Sequence, residues 1–94
     1  MNIQDMSTIN LMKKNVAGAT LESIDALCAE IPMLIQYSEA SPREIKLELL
    51  EVAKSIIDKM EELLPEVIEQ EGWVAYADTR TKLAEAIMVT RFAL

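Results

Sequence analysis

Along most of this chain, apolar residues recur every three or four positions, the period of helices that bury one face. The clearest stripe is Leu21, Ile24, Leu27, Cys28, Ile31, Leu34 and Ile35, with Thr20 placed before it as an N-cap. A first helix precedes it, capped within Asn2-Ile3-Gln4-Asp5 and running to about Ala17, where Gly18 supplies a stop. Ile3, Met6, Ile9, Val16 and Ala17 share a rough face in it, which Leu11 and Met12 leave. Pro32 interrupts the second stripe; it lacks the amide that would bond the carbonyl of Cys28 and predicts a kink or short break.

Ser41-Pro42-Arg43-Glu44 has the form of a capping box with proline at the first helical position. It predicts a third helix from Pro42 to about Leu64, roughly 34 Å at 1.5 Å per residue. Ile45, Leu49, Leu50, Val52, Ala53, Ile56, Ile57, Met60, Leu63 and Leu64 give that helix an apolar face wide enough to meet two neighbours. Pro65 predicts a break, with one further turn over residues 66–71 before Gly72. A last helix starts at Trp73 or, with Asp78 as N-cap, at Thr79, and its apolar side is Leu83, Ala84, Ile87 and Met88. The apolar end Arg91-Phe92-Ala93-Leu94 is expected to dock on something.

These elements predict one all-α domain over residues 1–94, a small antiparallel bundle of about four helices. Two glycines and three prolines are too few for the turns of an all-β fold. The supply of apolar surface is large for 94 residues, which predicts completion by dimerisation through an isologous helical interface.

Charge and missing residue types narrow the chemistry. The net charge of −7 disfavours direct binding to a nucleic-acid backbone. With no histidine, His-based acid–base chemistry and His-ligated metals are excluded. Cys28 is the only cysteine, so no intrachain disulfide forms; with no signal peptide and no run able to span a bilayer, the expected location is cytoplasmic, away from membranes. On the core stripe and without a neighbouring base, Cys28 reads as an inert packed thiol.

Three surface features remain. Glu44, Glu48, Glu51, Asp58 and Glu62 form an acidic stripe on the polar face of the third helix, flanked by Lys54 and Lys59. It serves either as a docking ridge for a basic protein surface or as a solvated face that keeps an apolar helix in water. Trp73, Tyr76 and Arg80 fall near one face of the last helix, with Arg91 projecting the same way. They read as interface anchors, or as a core tryptophan beside an arginine paired with the acidic helix.

The third feature is a pair of spaced acids, Glu48-Leu49-Leu50-Glu51 and Glu66-Val67-Ile68-Glu69. Carboxylates three apart lie side by side on a helix and can share Mg²⁺. This spacing is loosely similar to the paired ExxE-like motifs of small all-helical nucleotide pyrophosphohydrolases, a resemblance that would imply a metal-dependent hydrolase. The favoured expectation is a non-enzymatic interaction module, an adaptor, chaperone or inhibitor with no cofactor, metal or catalytic residue, acting on another protein as a homodimer. The alternatives are that hydrolase and an acidic mimic blocking a nucleic-acid-binding protein.

Overall fold

The computed structural model describes residues 6–93, which form four helices and no strand: α1 (Met6–Ala17), α2 (Leu21–Glu39), α3 (Arg43–Glu71) and α4 (Trp73–Ala93). The expected cap at Asn2–Asp5 and the face position of Ile3 lie outside the described residues. Successive helices run antiparallel through short connections, as expected for neighbours in a bundle. α2, α3 and α4 pack against one another, whereas the substantial contact of α1 is with α3 alone. At 1.5 Å per residue α3 is about 44 Å long, matching the long dimension of the molecule, which measures 42 × 25 × 18 Å between Cα atoms. This one helix is therefore the spine on which the other three are laid.

The α2 and α3 stripes point where their periodicity places them. Ile24, Ile31, Leu34 and Ile35 of α2 are buried, with Leu21, Leu27 and Cys28 half-buried against the same core. On α3, Leu49, Leu50, Val52, Ala53, Ile56, Ile57, Met60 and Leu63 are buried. In α1 only Ile9 and Val16 are buried; Met6 and Ala17 are exposed, and Met12, expected off the face, packs against the core.

Neither proline ends its helix. Pro65 lies inside α3, which continues to Glu71, and Pro32 lies inside an unbroken α2. An interior proline costs about 3 kcal/mol. Each buried aliphatic side chain contributes about 1.5–3 kcal/mol. Ile31, Leu34 and Ile35 surround Pro32, and Leu63 and Val67 surround Pro65, all buried. The packing on either side of each proline outweighs the lost hydrogen bond.

The expected capping box at Ser41 is not formed. The Ser41 hydroxyl donates instead to the Tyr37 carbonyl at 2.7 Å, closing the end of α2. Pro42 occupies the N-cap position, and the first bond of α3 runs from the Lys46 amide to the Pro42 carbonyl at 2.8 Å. At the other end, Gly72 turns the chain with φ 88° and ψ −179°, a conformation open essentially to glycine. Its amide donates to the carbonyls of Val67 and Ile68, and its own carbonyl accepts the Tyr76 amide at 3.1 Å. One residue thus closes α3 and opens α4, selecting Trp73 over Thr79 as the start of the last helix.

Candidate functional site: the outward face of α4

α4 buries a strip in which only Leu83 is a large apolar side chain. Thr79, Leu83, Ala86 and Thr90 face the bundle, and Ile87 is half-buried. The expected side of Leu83, Ala84, Ile87 and Met88 is therefore only half right, since Ala84 and Met88 are exposed. Its other bulky apolar side chains, at both ends, face outward. Trp73 is 71% exposed, Val74 87%, Met88 59% and Phe92 87%. With Ala77, Thr81 and Ala84 they make a continuous strip along the helix, and among the described residues it contains no carboxylate. The nearest acids, Asp78 and Glu85, lie on its border at 100° per residue.

Trp73 is thus no core residue. Its ring meets that of half-buried Tyr76 edge to face, with centroids 5.7 Å apart and an interplanar angle of 84°. This contact props the indole against its own helix while leaving most of it in water. Arg80 is exposed and, among the described residues, makes no ion pair, so it neither interrupts a core face nor acts as a strut to α3. Arg91 is likewise exposed. Phe92, expected to dock, stands free of the bundle. Near this end Ala84, Ile87, Met88, Arg91 and Phe92 line a shallow trough of about 540 Å³.

The acidic stripe of α3 lies away from the core, with Glu44, Glu51, Asp58 and Glu62 exposed. Glu48 is half-buried and accepts the ammonium of Lys13 from α1. Glu62 is 3.6 Å from Lys59 one turn back. The ridge is therefore interrupted by two lysines, one of them delivered by another helix. The two ExxE pairs share the unbroken α3 and lie about 27 Å apart at 1.5 Å per residue, too far to hold one ion together. Among the described residues no three metal-ligating side chains are gathered.

Cys28 lines a groove of about 340 Å³ between α2 and α4, with Ala29, Ile31, Pro32, Ala86 and Val89 as its apolar wall. Lys82 spans its mouth, 3.2 Å from Asp78 and 3.7 Å from Asp25 on α2. Burial, then the Asp25 carboxylate, pushes the thiol above its ordinary value, and the Lys82 charge only partly opposes them. The hydrogen bond to Asp78 and the charge of Asp25 hold Lys82 protonated above its own ordinary range. This combination suits a packed thiol and not a nucleophile.

No helix among the described residues is long and apolar enough to cross a membrane. No family model, curated protein or solved structure matches this chain. The site is accordingly read from its own chemistry. Helical spacing singles out Trp73, Tyr76 and Arg80; it puts Met88 on the buried side, expects the Phe92 end to dock and gives Val74 no role. The signal available for these was the absence of any acid from that strip in an acidic chain.

Proposed function

We propose that the protein is a non-enzymatic interaction module that binds protein through the outward face of α4, with a homodimer as the form in which that face is covered. The observation that carries this reading is the strip Trp73, Val74, Met88 and Phe92, four bulky apolar side chains more than half exposed on one helix. Bulky apolar side chains exposed in pairs, as at each end of α4, mark contact surfaces, and aromatic and arginine side chains dominate binding energy in such contacts. The exposed carboxylates of α3 leave a second surface open to a basic partner.

The test is affinity capture with the native chain and with a Met88→Asp/Phe92→Asp variant as bait. Both positions are exposed, so the variant is expected to melt with the native chain. A protein, a second copy of this chain included, held by the native bait and lost by the variant, at equal melting temperature, supports the reading. Identical retention by both baits overturns it.

A further inference from the structure

We infer that the occupant of the α4 face is α4 of a second copy, laid antiparallel and centred between Lys82 and Leu83. This rests on the reading of that face as a protein contact and commits it to one partner and one register. Trp73 and Arg91 lie five turns apart and so fall on one line of the helix, and Val74 and Phe92 do the same on the adjacent line. Reversing a second copy about the centre sets Trp73 against Arg91 of the second copy, and Val74 against Phe92 of the second copy. Ala77 then faces Met88 of the second copy, small against large, and Thr81 and Ala84 lie at the crossing, where short side chains let two helices approach.

Each end of the pair thus joins a guanidinium to an indole face, a cation–π contact, beside an apolar pair. The trough lined by Met88, Arg91 and Phe92 lies at the end where the Trp73 of the second copy arrives. The strip itself carries no carboxylate, and on its border, where reversal brings Asp78 near Glu85 of the second copy, Asp78 is paired with Lys82 at 3.2 Å. The exposed parts of Trp73, Val74, Met88 and Phe92 amount to on the order of 600 Å² per copy. A pair would bury on the order of 1,200 Å², the lower bound for a stable specific interface.

The experiment uses the full chain with Cys28→Ala, into which Ala77→Cys or Met88→Cys is introduced singly; both positions are exposed. Under mild oxidation each variant alone is expected to stay largely uncrosslinked, and an equimolar mixture to give a covalent heterodimer. Crosslinking of each variant alone as readily as in the mixture overturns the antiparallel register. So does a mixture that fails to crosslink while sizing as a dimer. On the native chain, emission from Trp73, the sole tryptophan, is expected to shift to shorter wavelength with rising micromolar concentration. Arg91→Ala is expected to weaken that association about threefold or more. Emission and sizing of a monomer, unchanged across concentration, overturn the second copy as occupant, while the interaction reading stands or falls separately on the capture assay.

Discussion

Thr90 carries a hydroxyl into the buried strip of α4, and among the described residues its Oγ1 is the buried side-chain atom left without a partner. An unsatisfied buried polar group costs about 1–3 kcal/mol. Thr90→Val keeps the shape and removes the hydroxyl, so urea titration is expected to show a gain of about 1 kcal/mol. Ser38 is the contrast: equally buried, it donates to the Ile35 carbonyl at 2.6 Å and carries no such penalty. Ile56, wholly buried on α3, is expected to cost about 2–5 kcal/mol on truncation to alanine. A thermal melt as mild as that of a surface variant would disprove its place in the core. At Cys28 burial, then the Asp25 carboxylate, raises the thiol above its ordinary value, so alkylation is expected to run slower than for a free thiol, and Asp25→Asn to speed it. Because folding favours the protonated thiol, its contribution to stability is present below the ordinary thiol range and declines as pH rises through it.

At the scale of the element, local rules and packing compete, and the two prolines show packing winning. Pro65 is exposed inside α3. Pro65→Ala restores an amide able to bond the Glu61 carbonyl and is expected to raise stability by up to about 3 kcal/mol, read as a higher melting temperature. Gly72 is the opposite case. Nothing lies within 4 Å of where a Cβ would stand, so Gly72→Ala meets no clash. Its expected cost of about 1–3 kcal/mol is backbone strain at positive φ alone. The α2 and α3 faces were legible in the sequence because their stripes are rich in branched, bulky side chains with polar residues opposite. α4 was not: its buried strip is Thr79, Leu83, Ala86 and Thr90, while Met88 and Phe92 face water. Size alone assigns such a helix to the wrong side, because two threonines and an alanine are buried while larger apolar side chains stay in water. The break expected at Pro65 fails for a related reason, a local penalty being visible in sequence and the burial that offsets it being tertiary.

For the whole molecule, the candidate site was legible as residue types and not as a surface. Trp73, Tyr76 and Arg80 stood out by chemistry, yet the sequence left open whether they were core or contact until α4 was seen to present a second apolar strip. Arg80→Ala is accordingly expected to leave stability within about 0.5 kcal/mol of the native chain, with any effect confined to association as read by sizing. The architecture has a further consequence in how the molecule opens. α1 rests on the spine through Ile9 and Val16 and the half-exposed pair Lys13–Glu48, a contact worth at most about 1 kcal/mol. The other three helices brace one another. Amide hydrogens of α1 are therefore expected to exchange with solvent deuterium far sooner than those of α3, by a local detachment that leaves the three-helix remainder standing. Each such event bares Val52 and Ile56, so the helix without substantial contact to α4 is the one through which protease or aggregation would enter.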